Sequence, residues 1–120
     1  VGVDRLMTWD ELRVIALAFP GVEEGTSYGT PAFKVNGKFL TRLRPEDDSV
    51  VLVDVGFDER EMLMEAEPET FHITPHYQNY PSVLARLASV DPGTFRNLFE
   101  RRWRNVAPKR LVKAYDAGRS

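Results

Sequence analysis

The run TSYGTPAFKVNGKFLTRLR, residues 26–44, alternates its side chains with period two around a central Asn36-Gly37. Two residues that tolerate positive φ, flanked by alternating apolar positions, are the strongest short-range hairpin signal. This part of the chain is thereby committed to antiparallel pairing. Phe33 and Val35 are expected on one side of the first strand. On the second, Phe39, Thr41 and Leu43 are expected on one face, with Leu40, Arg42 and Arg44 opposite. Pro31 has no N–H to donate and belongs at a strand start or a bulge. A further strand over residues 25–29 precedes the hairpin. PEDD then turns the chain, and SVVLVDV supplies a fourth strand.

Helical signals flank this sheet. Thr8 and Glu11 have the spacing of a capping box. Leu12, Ile15, Ala16 and Phe19 recur at helical spacing, and Pro20-Gly21 stops the helix, which is predicted over residues 8–18. Leu6 is placed to fix the chain's approach to it. DEREMLMEAEP predicts a short helix capped by Asp58, with Met62, Leu63 and Ala66 inward and Pro68 ending it. TFHIT reads as a strand and PHYQNYP as a loop. SVLARLASV fits a strand or a helix by pattern, and the topology favours a strand. Asp91 caps the next helix with Pro92 at N1. Phe95, Leu98, Phe99, Arg102 and Trp103 follow, with Trp103 assigned to the core. Pro108 opens a last helix carrying Leu111, Val112 and Tyr115. The order helix, strands, helix, two strands, helices predicts a single α+β domain over 1–120. It is a two-layer arrangement, with a mixed or antiparallel sheet covered by helices on one face. The other face is left open or meets a second subunit.

The chain has no cysteine, which excludes disulfides and thiolate chemistry. No metal or cofactor is expected. No apolar run approaches the roughly 20 residues that span a bilayer, and no secretory signal opens the chain. The expectation is therefore a cytoplasmic protein without a membrane partner. Its net charge of −2 hides a split. Residues 1–90 carry eight basic and fifteen acidic side chains, while residues 91–120 carry eight basic and three acidic. An anionic partner would therefore meet the C-terminal end first.

Three stretches, FPGVEEGTSYGTPAFKVNGKFLTRL, ITPHYQNYPSVLARLASV and WRNVAPKRLV, together resemble the MmcQ/YjbR family, whose members are often labelled DNA-binding. In that family a segment like SYGTPAF precedes the GK hairpin. The PHY segment leads into a strand of apolar and basic residues, and an APKR-like segment opens the last helix. The resemblance spans nearly the whole chain. It implies a fold similar to type III secretion chaperones, a double-wing DNA-binding shape and a nucleic-acid role. Relatives place a tryptophan and more basic residues after the histidine-tyrosine segment, where this chain has the uncharged QNYPSV.

Three sets of residues are candidates for function. Arg101, Arg102, Arg104, Lys109, Arg110 and Lys113 form a basic C-terminal group able to hold the phosphates of double-stranded DNA. The same residues also suit a solvated helix surface paired with carboxylates. Lys34, Lys38, Arg42 and Arg44 form a second basic group on the hairpin, though PEDD follows directly. Tyr28, His76, Tyr77 and Tyr80 form a candidate surface for a ligand or partner, and equally suit packing. No catalytic set is complete. His76 would need a partner such as Ser27, Asp54 or Asp58, and no spacing links them. The GTSYG glycines are turn or bulge residues rather than a phosphate loop. The expectation is a non-enzymatic DNA-binding protein. The alternatives are a protein-interaction, self-associating or chaperone-like module, and a small-molecule-binding protein or enzyme using the His76/Tyr77 region.

Overall fold

In a computed structural model that describes residues 7–118, the chain runs α1 (Trp9–Leu17), β1 (Val22–Ser27), β2 (Thr30–Val35), β3 (Lys38–Arg44), β4 (Ser49–Val53), α2 (Phe57–Ala66), β5 (Phe71–His72), β6 (Ser82–Arg86), α3 (Pro92–Val106) and α4 (Lys109–Ala117). The strands form one six-stranded sheet in the order β1-β2-β3-β4-β6-β5. Every pairing in it is antiparallel. The sheet is thus antiparallel rather than mixed, with the helices on one face. Residues 82–86 are a strand, and it lies between β4 and β5. Leu6 lies outside the described residues.

Local chemistry explains most of the boundaries. The Thr8 hydroxyl accepts from the Glu11 amide, and the Glu11 carboxylate accepts from the Thr8 amide, so both halves of the capping box form. Asn36 and Gly37 adopt φ of 50° and 76°, the left-handed turn that joins β2 to β3. Asp91 accepts from the Thr94 amide and starts α3 behind Pro92. The first strand begins at Val22 rather than at residue 25. It ends before Tyr28-Gly29, which makes the turn with φ of 52° and 75°. The strand expected over TFHIT is ordered as such only at Phe71 and His72.

Two expectations about faces are corrected. In α2 the cap is Gly56, which has no side-chain bond to give, and Asp58 lies inside the first turn. Met62 is 67% exposed and Ala66 is also outside. Arg60, Leu63 and Met64, which share a face at spacings of three and four, turn inward instead. In β3, Phe33 pairs with Thr41 but Lys34 pairs with Phe39, so Leu40 is the extra residue of a β-bulge. Leu40 joins the core with Leu43 packed beside it, while Phe39 and Arg42 turn together to the other face.

The core lies between the sheet and the helices. Phe33, Val35, Leu40, Val50, Leu52, Val83 and Ala85 meet Leu12, Ala16, Phe95, Leu98, Phe99 and Trp103. Fully burying each large apolar side chain stabilises by about 1.5–3 kcal/mol. Trp103 is core, as its spacing implies, and its indole N–H donates to the Pro20 carbonyl at 3.0 Å. Phe19 lies 5.3 Å from Trp103 and 5.1 Å from Tyr115, which fastens α4 to the layer beneath it. Among the described residues no helix is long and apolar enough to cross a membrane.

Gly21 marks the tightest passage. Its φ is +75°, and an added Cβ would stand 2.5 Å from Leu111 Cδ1. Gly21→Ala is expected to cost about 1–2 kcal/mol in denaturant unfolding from backbone strain alone, with the contact adding to it. In the double variant with Leu111→Ala the contact contribution should vanish and the backbone part remain. An unchanged midpoint for Gly21→Ala would refute this account.

Candidate functional site

The bulge at Leu40 shapes the face of the sheet that the helices leave uncovered. Strands β3 and β4 pair through Leu43↔Val50 and Arg44↔Ser49. Towards the bulge, side chains take over from the backbone ladder. The Thr41 hydroxyl donates to the Val51 carbonyl at 2.6 Å. Arg102 reaches across from α3, donating to the Phe39 carbonyl at 2.8 Å and to Asp54 Oδ2 at 3.1 Å. Asn105 adds a second donor to the same Asp54 oxygen at 3.1 Å. Arg102 therefore staples β3 to the segment after β4.

The segment between β5 and β6 lies against this face. It makes one 3-10 turn over Pro75–Tyr77, and Arg60 of α2 holds it down. The Arg60 guanidinium donates to the carbonyls of Tyr77, Gln78, Tyr80 and Ser82 at 3.1, 3.0, 2.8 and 3.2 Å. A loop's carbonyl oxygens need donors when covered, and one buried, permanently charged fork supplies four of them here.

Between this loop, the β1–β2 turn and strands β3 and β4 lies an open groove of about 790 Å³. Its rings are Tyr28, Phe39, His76, Tyr77 and Tyr80, and its apolar floor includes Val51 and Val53. All four residues of the candidate ligand surface, Tyr28, His76, Tyr77 and Tyr80, thus meet in one place. Arg42, expected with the hairpin lysines, joins them there. Its guanidinium lies 5.3 Å from the Tyr28 ring centre and donates to the Tyr77 hydroxyl at 3.0 Å. The His76 ring stands edge-on to Tyr77 at 4.9 Å. Ser82 is only 3% exposed, and its Oγ has no hydrogen-bond partner among the described residues.

Charges in the groove are unevenly compensated. Asp54 is held by Arg102, and Glu46 lies 3.6 Å from Arg44. Arg42 has no carboxylate partner among the described residues, and its bonds go to Tyr77, Thr30 and the Leu43 carbonyl. Tyr28 is also unusual in its backbone. Four non-glycine residues among those described have positive φ, and the other three are Asn36, Asp48 and Asp54. Asn and Asp tolerate that conformation, whereas a bulky side chain there is strained by about 1–2 kcal/mol.

The basic C-terminal group divides in two. Arg101 makes a bidentate pair with Glu59 at 2.6 and 2.9 Å. The hydrogen bond from Arg101 holds the Glu59 carboxyl below its ordinary range. Arg104 pairs with Asp116 and Glu100, and Arg102 is the staple described above. Lys109, Arg110 and Lys113 are exposed on α4 and form no ion pair among the described residues. Arg110 lines a smaller cleft together with Glu23. Lys34 is half-buried in β2, and Lys38 is exposed beside the hairpin turn. Ser27 and Asp54 line the groove with His76, whereas Asp58 does not.

His72 is separated from His76. It pairs instead with Asp47, Nε2 to Oδ2 at 2.9 Å. Burial alone would raise the Asp47 carboxyl, but the bond to His72, the Arg44 charge and the Ser49 hydroxyl outweigh it and hold it below 3.8. Phe39, Ser82 and Arg60 were not among the expected site residues. Phe39 was hidden by the bulge. Arg60 carried a signal, as the cation on the inward stripe of an otherwise acidic helix. Among the described residues no group of three or more His, Cys, Asp or Glu is placed to hold a metal ion.

A family model described as YjbR matches residues 17–105. This chain belongs to the YjbR family. The YjbR match covers the sheet, both walls of the groove and nearly all of α3, and it stops before α4. Similar proteins include uncharacterized proteins of Mycobacterium tuberculosis and Mycobacterium bovis. Each is 29% identical over 124 residues, covering 92% of this YjbR chain and 96% of the relative. No solved structure gives a significant match.

Two predictions follow from the loop's fastenings. Arg60→Met removes the charged donor from four carbonyls, of which those of Tyr77 and Tyr80 keep backbone donors, and is expected to cost about 2–4 kcal/mol. Amide exchange at residues 77–82 should rise with it, and full stability with unchanged exchange would refute the clamp. Asp47 has a depressed folded pKa. Its carboxylate therefore contributes stability that is present above the unfolded value of 3.8 and lost as pH falls through the lower folded value. Asp47→Asn should lower the Tm at pH 7 and converge with the parent protein in acid. A difference constant across pH would mean that ionisation of Asp47 contributes nothing.

Proposed function

We propose that this YjbR-family chain is a non-enzymatic binding protein whose small ligand sits in the groove between β3, β4 and the 75–81 loop. The observation that carries this reading is Arg42, a half-buried guanidinium among aromatic rings with no carboxylate partner among the described residues. A concave site of a few hundred Å³, largely apolar, with a few convergent polar groups, is the usual form of a small-molecule site.

DNA binding is the second reading, and a separate observation favours it. Lys109 and Lys113 are four apart on exposed α4, so they share a face, and Arg110 is adjacent. With Lys34, Lys38, Arg42 and Arg86 they are the partly or fully exposed cations without a carboxylate partner among the described residues, because Arg101 and Arg104 are already paired. They are spread over β2, β3, β6 and α4, and only those that reach one phosphate backbone together would add to counterion release. A protein-interaction role would rest on Val14 and Leu17 of α1 and Phe57 and Met62 of α2. These lie on two separate helices, and scattered exposed apolar residues need no partner.

One experiment separates the first two readings. The amide spectrum of the full chain is followed on adding a pool of small aromatic and anionic fragments, and separately a mixed-sequence duplex at low salt. Fragments are expected to shift Tyr28, Arg42, Tyr77 and Tyr80 and to leave residues 109–113 unmoved. Fragments that never move the groove would remove the first reading. Duplex-induced shifts at α4 that fade steeply with salt would put DNA in its place.

A further inference from the structure

Resting on the groove as a ligand site, we infer that it selects a planar aromatic anion, with the ring stacked on Tyr28 and the anionic group held by Arg42. The anion follows from charge. Both carboxylates that line the groove have arginine partners of their own, Asp54 with Arg102 and Glu46 with Arg44. Arg42 is the guanidinium left over. A guanidinium has five N–H donors, and three bonds to neutral oxygens leave Arg42 with donors to spare. Its partial burial strengthens any pairing with carboxylate or phosphate beyond its value in water.

The planar ring follows from Tyr28. A tyrosine that is 90% exposed contributes little to the core. One at φ 52° works against its own turn, where Asn or Gly would sit without strain. Packing and local propensity therefore both fail to account for it. What remains is the ring itself, which is exposed to solvent and stands 5.3 Å from the Arg42 guanidinium. Strained residues that serve neither the core nor the turn concentrate at ligand clamps. Tyr80, 56% exposed, and Phe39 extend the aromatic lining beside it. The base pairs of a duplex are stacked on one another, so a free small molecule offers such a ring more readily than duplex DNA does. A mononucleotide and an aromatic carboxylate share the chemistry required.

Calorimetric titration of the full chain tests this with adenosine monophosphate and 4-hydroxyphenylacetate as the two arms, against adenosine, inorganic phosphate and acetate. At least one ring-bearing anion should bind about tenfold or more tightly than its ring alone and its anion alone. Binding in the first arm identifies a phosphate ligand, and in the second a carboxylate. Arg42→Gln should lose about tenfold or more. Tyr28→Asn, which keeps a residue suited to positive φ, should lose affinity several-fold while its Tm rises by a few degrees. Adenosine binding as well as its phosphate, full affinity in Tyr28→Asn, or a lowered Tm in that variant would each overturn the inference. If the fragment pool still shifts the groove but neither anion is preferred, only this inference fails. If nothing shifts the groove, the ligand reading fails with it.

Discussion

Leu40 has no opposite number in β2, and the two faces of the central sheet are arranged around that extra residue. With strict alternation Leu40 would share a face with Arg42, and Phe39 would point into the helices. The bulge returns Leu40 to the core and brings Phe39 and Arg42 onto one side. It also leaves backbone groups of β3 without ladder partners, which would be costly if they stayed unpaired. Thr41 and Arg102 bond across the lapse instead. The groove lies where those side chains have replaced the ladder.

Arginine is the fastener throughout this chain, which explains where its charge asymmetry goes. The basic C-terminal helix faces acidic residues from the N-terminal three-quarters, Arg101 on Glu59 and Arg102 on Asp54. Exposed pairs of this kind stabilise by at most about 1 kcal/mol each. Their larger effect is to fix geometry, since bidentate forks set orientation as well as distance. Arg60 does the same for a loop with no carboxylate involved. Of the excess of cations in residues 91–120, Arg101 and Arg102 are therefore internal wiring, whereas Lys109, Arg110 and Lys113 stay exposed on α4. The unneutralised guanidinium at the groove comes from β3, in the acidic part of the sequence.

The features legible in the sequence are those set by neighbours in the chain. The Thr8–Glu11 box, the Asn36-Gly37 turn, the Asp91-Pro92 start and the apolar stripe ending at Trp103 depend on spacings of a few residues. The bulge was not legible, because no glycine marks it and Leu40 suits either face. The inward stripe of α2 was misplaced because its buried residue is a cation, Arg60, which an apolar pattern passes over. Tyr28, His76, Tyr77 and Tyr80 were recognisable as one set, and they line one groove, but Arg42 was grouped with the hairpin lysines. Its link to Tyr77 spans 35 residues of sequence, and no local pattern encodes such a contact.

The groove's walls come from elements that the backbone joins only indirectly: the β1–β2 turn, the β3–β4 lapse and the loop under Arg60. A ligand spanning Tyr28 and Tyr77 would tie these together, and its binding free energy would add to the stability of the segments it bridges. The strain at Tyr28 has a different character. It is set by the backbone of the β1–β2 turn, and a ligand would give the strained ring a contact. A chain shaped only for stability would have asparagine or glycine at that turn. The tyrosine stands against the local preference of its own backbone, and if the groove holds a ligand, position 28 is where binding and folding pull in opposite directions.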